Sequence, residues 1–153
     1  MKKAIYMMGL PASGKSTIAK RLYEKKYKII DCDEIKKEHK DYDPKNPQTV
    51  HSWSSQELEK RFQEALLKDE SIVIDGTGSN SDKLVRRINE AKEKGFRTRV
   101  VYVTCNLATS LKRNSARERV VPESIIMEKY KDIRYSFEIV SPNADEVKVI
   151  NNN

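Results

Sequence analysis

Gly9-Leu10-Pro11-Ala12-Ser13-Gly14-Lys15-Ser16 matches the pattern G-x-x-x-x-G-K-[ST] without a gap. The β-like run Lys3–Met8 precedes it, and a helical stretch over Lys15–Glu24 follows. In a strand–loop–helix context the glycines let successive backbone amides turn toward phosphate oxygens, and the helix N-terminus adds positive potential. Lys15 supplies a flexible point charge for β- and γ-phosphates, and the Ser16 hydroxyl can ligate Mg²⁺. A plain glycine turn before a helix would need neither Lys15 nor Ser16. Gly9, Pro11, Ala12, Ser13, Gly14, Lys15, Ser16 and Thr17 are therefore the expected nucleotide-binding set, with ATP and Mg²⁺ as the expected ligands.

Outward from the loop, short β-branched runs alternate with amphipathic helical stretches, the pattern of a parallel sheet with crossover helices. The expected strands are 3–8, 28–31, 71–75, 97–104 and 146–150. Ile72-Val73-Ile74 and Val100-Val101-Tyr102-Val103 are almost continuously apolar, as strands covered on both faces should be. Helices are expected over 15–24, 33–39, 54–68, 81–94, 107–117 and 122–137. Ser54-Ser55-Gln56-Glu57 reads as a capping box opening the third of these, and Gly95 as the left-handed stop of the fourth. The segment 40–48, with Pro44 and Pro47, is expected to be irregular, and Asn151-Asn152-Asn153 a frayed tail. At 153 residues the chain fits one domain over 1–153. The fold expected is a three-layer α/β P-loop NTPase fold, sheet order 2-3-1-4-5, with a small helical lid at about 107–121.

A phosphate loop alone does not separate kinases from GTPases or motor ATPases. The second strand delivers Asp31, Asp33 and Glu34 to its carboxyl end, facing the same crevice as the loop. A kinase needs a carboxylate there to orient and deprotonate the acceptor hydroxyl. Asp33 is the candidate, against the alternative that it is a helix N-cap. Asp75, closing Ile72-Val73-Ile74, suits a metal-side role or the orienting of an arginine, against a plain Asp-Gly turn. Gly76 and Gly78, flanking Thr77, would let a substrate approach the backbone. Arg113 and Arg117 are four residues apart and share a helix face, so they can clamp phosphates. Arg119 extends the same basic run.

Together these residues resemble the P-loop kinase family that includes the polynucleotide 5′-kinase domain of phage end-healing enzymes. The resemblance rests on Gly9–Ser16, Asp33, Asp75-Gly76-Thr77, and Lys112-Arg113-Asn114-Ser115-x-Arg117 before Val121-Pro122 and a helix carrying Tyr130. It implies catalytic roles for Lys15, Asp33, Arg113 and Arg117, a metal-side role for Ser16 and Asp75, and substrate contacts from Lys36, Asp75 and Thr77. Lys36 stands where the family has a basic residue for a substrate phosphate. A lysine where a bidentate arginine fork would serve better weakens that expectation. Kinases of nucleotide sugars and of hydroxymethylated DNA bases share this outline.

The formal net charge of +7 favours anionic partners. Cys32 and Cys105, without CxxC spacing, fit a reducing compartment, and no run approaches the ~20 apolar residues of a bilayer span. The N-terminus is expected to be a first strand rather than a signal peptide, and the protein cytoplasmic without membrane contact. The leading expectation is an ATP-dependent kinase of a polynucleotide 5′-hydroxyl, a nucleic acid 5′-end or nucleotide-like acceptor being the partner. The alternatives are a kinase of a small molecule, mononucleotide or hydroxymethylated base, and a non-kinase ATP-binding regulatory module. Trp53 or Tyr42 could stack on a base, although a lone aromatic near a loop more often packs.

Overall fold

The computed structural model describes residues 1–117 and 120–153. Five strands, β1 (Lys3–Met8), β2 (Lys28–Asp31), β3 (Ile72–Asp75), β4 (Arg97–Thr104) and β5 (Glu146–Asn151), form a parallel sheet in the order β2-β3-β1-β4-β5. The helices are α1 (Lys15–Tyr23), α2 (Cys32–Lys36), α3 (His51–Leu67), α4 (Ser81–Glu93), α5 (Leu107–Ser115) and α6 (Glu123–Val140). The expected α/β architecture and strand order are both present.

β1 lies at the centre, and its alternating side chains divide the core. Ala4, Tyr6 and Met8 face one layer with Leu58, Phe62, Ile88 and Val100, under α3 and α4. Ile5 and Met7 face the other with Ile18, Ala19, Val73 and Val101, under α1. Burying side chains of this size is worth roughly 1.5–3 kcal/mol each, which is why every residue of β1 past Lys3 is apolar and buried. The one polar atom this places in the core, the Tyr6 hydroxyl, donates to the Arg87 carbonyl at 2.9 Å. A third cluster, Leu10, Ile126 and Ile133, ties the glycine loop to α6.

Three expectations change in detail. α3 begins at His51, not at Ser54. Ser54 is fully buried, and its hydroxyl donates to the His51 carbonyl at 2.9 Å, so it serves inside the first turn rather than as a cap. α2 is shorter than expected and is capped by Asp31, whose carboxylate accepts from the Asp33 N–H at 2.9 Å. The tail is not frayed. β5 runs through Asn151, and the Asn152 N–H donates to the Thr104 carbonyl at 2.8 Å. The stop at Gly95 is as expected, with φ 84°. Of the expected lid, Arg119 and its neighbour Glu118 lie outside the described residues.

Candidate active site

The glycine loop joins the centre of the sheet to α1. Gly9 N–H donates to the Thr77 carbonyl at 3.0 Å, binding the loop to the end of β3. A Cβ on Gly9 would lie 2.7 Å from the Val103 backbone oxygen, so no other residue fits without moving β4. Gly14 takes φ 91° and caps α1 with no side-chain partner, which leaves the first amides of the helix pointing outward. Lys15 is buried, at 6% exposure.

Three lateral side chains hold the loop. The Ser110 hydroxyl of α5 donates to the Pro11 carbonyl at 2.6 Å. Arg113, also on α5, donates through Nη1 to the Ser13 carbonyl at 3.3 Å and to the Asn152 carbonyl at 2.9 Å. Asn152 itself donates through Nδ2 to the Ser13 carbonyl at 2.7 Å. Neither Ser110 nor Asn152 was legible as a site residue. Both act across the fold, and the run of three asparagines was expected only to be a frayed tail. A cavity of about 630 Å³ opens over the loop, lined by Gly14, Lys15, Ser16, Thr17, Arg113 and Arg117 among others. The loop residues and both arginines are therefore brought together.

The carboxylates meet at the ends of β2 and β3. Asp31 and Asp75 are paired in register, and both are buried. Burial, then the charges of Asp75 and Asp33, push the Asp31 carboxyl well above the usual range, against a smaller opposing effect of Lys15. Ser16, Asp31 and Asp75 line one small cavity. A hydroxyl beside two buried, mutually repelling carboxylates suits a hard divalent cation such as Mg²⁺. Asp31, expected as a strand-end polar residue or an auxiliary group, is part of this group.

Asp33 lies in the first turn of α2, with about a third of its side chain exposed and Oδ1 3.6 Å from Lys36 Nζ. Lys36 is buried and faces Asp33 directly. Thr77 lines a further cavity of about 220 Å³, together with Asp75, Gly76 and Gly78. Asp75 lines both this cavity and the one holding Ser16, so the two sides of the site share a wall. Trp53 packs edge-on against His39, ring centroids 5.0 Å apart, and lines a separate cavity with Asp41 and Asp43. Cys32 and Cys105 are free thiols. Among the described residues no helix is long and apolar enough to cross a membrane.

Comparison with known proteins adds family and fold. The family described as AAA domain (AAA_33) matches residues 5–140. A shikimate kinase from Sulfurihydrogenibium sp. (strain YO3AOP1) is 33% identical over 114 residues, covering 72% of this chain and 66% of that protein. The chain thus spans just under two thirds of that relative's length. Among solved structures, one from the PezAT chromosomal toxin–antitoxin system of Streptococcus pneumoniae superposes with a TM-score of 0.74 at 16% identity, covering 99% of this chain and 68% of the other. The AvrRxo1-ORF1:-ORF2 structure with ATP superposes with a TM-score of 0.73 at 21% identity, covering 99% and 55%. At these identities the structures share the fold.

Proposed function

Because this chain belongs to the AAA domain family, we propose that it is an ATP-dependent kinase that phosphorylates a hydroxyl of a small molecule. The observation that carries this reading is the cavity of about 220 Å³ beyond Asp75. It is smaller than the roughly 300–1,000 Å³ of pockets for drug-sized ligands, and its lining residue Thr77 is hydrogen-bonded to Gly9 of the glycine loop. That the relative described above is named a shikimate kinase supports a small acceptor.

In this reading the loop amides and Lys15 hold the β- and γ-phosphates of ATP. Ser16 and Asp75, with Asp31, would hold Mg²⁺, which when bound neutralises phosphate charge. The acceptor oxygen attacks the γ-phosphorus, the bond to the β–γ bridging oxygen breaks, and ADP leaves. Asp33 takes the hydroxyl proton, and Lys36 holds that carboxylate in place. Arg113 and Arg117 cover the donor phosphates as part of a lid at about 107–121 on a single domain, offsetting charge as it moves to the leaving oxygen.

A second reading, transfer to a polynucleotide 5′-hydroxyl, is favoured by the net charge of +7 and by Lys36 beside Asp33. The two separate in one assay. γ-Labelled ATP is offered in parallel with 5′-hydroxyl RNA and DNA oligonucleotides, hydroxymethyl-base DNA, free nucleosides, and a panel of small hydroxy acids and polyols. Label on a small molecule supports the first reading. Label confined to oligonucleotides overturns it in favour of the second. ATP hydrolysis with no transfer to any arm overturns both.

A further inference from the structure

The acceptor-side cavity has a charge pattern that the transfer chemistry does not require. Lys83 enters from the first turn of α4, where the positive helix end already lies. Lys129 enters from α6, its Nζ donating to Ser79 Oγ at 2.8 Å. His51 opens α3 at the mouth, exposed to solvent, with Ser55 Oγ 3.5 Å from its Nε2. Both lysines are half-buried. Among the described residues neither has a carboxylate within 4.0 Å.

The contrast with Arg87 on the same wall is informative. Its Nε lies 3.2 Å from Glu59, so its charge is already matched. Lys36, which does not line the cavity, is matched by Asp33. Among the described residues Lys83 and Lys129 are left as two cations without a carboxylate partner, converging from different helices on one small cavity. They are close enough to act on His51. Partial desolvation, then the charges of Lys36, Lys129 and Lys83, hold its imidazole below the ordinary value, with Asp33 opposing. Like charges held together and half-desolvated are costly unless an anion joins them. The floor is apolar, formed by Met7, Leu58 and Leu84, so a carbon skeleton also finds contact there.

We propose that this cavity selects a small acceptor that carries an oxyanion, a carboxylate or a phosphate ester, on the same molecule as its reactive hydroxyl, with Lys83, Lys129 and His51 as the recognition residues. The inference rests on the kinase reading for the identity of the pocket, but it is tested without phosphoryl transfer.

The protein is saturated with Mg²⁺ and a non-hydrolysable ATP analogue, so that the glycine loop cannot take the probe. Glycerate, glycerol 3-phosphate and glycerol are then titrated while the ring protons of the two histidines are followed by NMR, His39 serving as the internal control. At least one of the two anions is expected to bind saturably and to raise the apparent pKa of His51 but not of His39. Which anion binds more tightly separates carboxylate from phosphate ester recognition. Glycerol is expected to do neither. Lys83→Gln/Lys129→Gln is expected to weaken the anion about tenfold or more, the range for lost charged hydrogen bonds, with affinity for the ATP analogue within about twofold. The proposal is overturned if neither anion moves His51, if glycerol acts equally, if the double variant binds the anion unchanged, or if a 5′-hydroxyl oligonucleotide outcompetes both anions. A protein that binds the anion at this site yet transfers phosphate to nothing would sink the kinase reading alone.

Discussion

Asp31 and Asp75 stand side by side at the carboxyl ends of neighbouring strands, paired in register and both buried. Few folds place two carboxylates so close without a gain elsewhere, because each raises the cost of ionising the other. In the proposed reading the gain is a site where a bound cation would relieve the repulsion.

The first prediction follows from that repulsion. Asp31 binds its proton more tightly in the folded chain than in the unfolded one, where the value is 3.8. Stability from this group is therefore fully present below 3.8 and declines as pH rises from there through the raised folded value. Asp31→Asn removes the decline and keeps a cap on α2, since Asn caps as well as Asp. The variant should melt a few °C higher than the parent at pH 8, the shift that about 1 kcal/mol produces in a domain of this size. It should also lose much of the Mg²⁺ dependence of ATP binding. Melting curves of both proteins from pH 4 to 8 check this, and curves that run parallel would refute it.

Asp33→Asn should lower phosphoryl transfer by about 10²–10⁴-fold, the usual contribution of a positioned general base. Affinity for ATP should stay within a few-fold, because Asp33 faces Lys36 rather than the loop. Single-turnover transfer measured beside ATP binding separates the two. Full transfer by the variant would remove Asp33 from the mechanism.

Arg113→Lys keeps the charge but gives up the planar guanidinium whose Nη1 reaches both the Ser13 and Asn152 carbonyls. Each such bond from a charged donor is worth about 1.5–3 kcal/mol. The KM for ATP should rise roughly tenfold or more, and amide exchange at Asn152 should quicken. An unchanged KM would mean that the guanidinium only props the tail.

Gly9→Ala places a methyl group 2.7 Å from the Val103 carbonyl oxygen, a backbone atom that cannot swing aside. The cost should be about 1–3 kcal/mol, as for other overpacked positions, with ATP affinity falling alongside. Denaturant midpoints and ATP titrations check this together. A variant of parental stability would show that β4 yields more easily than a central parallel strand should.

Most of the fold was legible because parallel strands covered on both faces announce themselves as short apolar runs. All five expected strands agree with the observed ones to within one residue, from β1 at Lys3–Met8 to β5, which extends one residue further to Asn151. The start of α3 was not legible. Ser54–Glu57 has the composition of a capping box, but tertiary packing buries Ser54 against Cys32 and lets the helix run back to His51. The donor side of the site was legible for a similar reason, since Gly9–Ser16 is one contiguous segment. The proposed acceptor side was legible only in part: Asp75, Gly76, Thr77 and Gly78, named from the sequence, do line its cavity, but its basic residues were not singled out. Lys83, Lys129 and His51 belong to three separate helices, and nothing local distinguishes two of the 30 basic side chains from the solvated rest. Asn152 was likewise hidden, because its partners Ser13 and Arg113 are brought to it only by the assembled sheet.

The position of β1 also sets when the protein can become itself. It precedes both of its neighbours in the chain and lies between them in the sheet, with Ala4 beside Ile72 on one side and Lys3 beside Arg97 on the other. Until the ribosome has delivered both neighbours, the apolar run Ala4–Met8 has nothing to pair with, and the loop after it has no frame. Order must then arrive through the closure of long loops, the slow route for parallel sheets. A nascent chain halted before β4 should therefore retain no nucleotide, although every residue of the glycine loop has already emerged by then. That early, unpaired segment is also where a chaperone has most to protect.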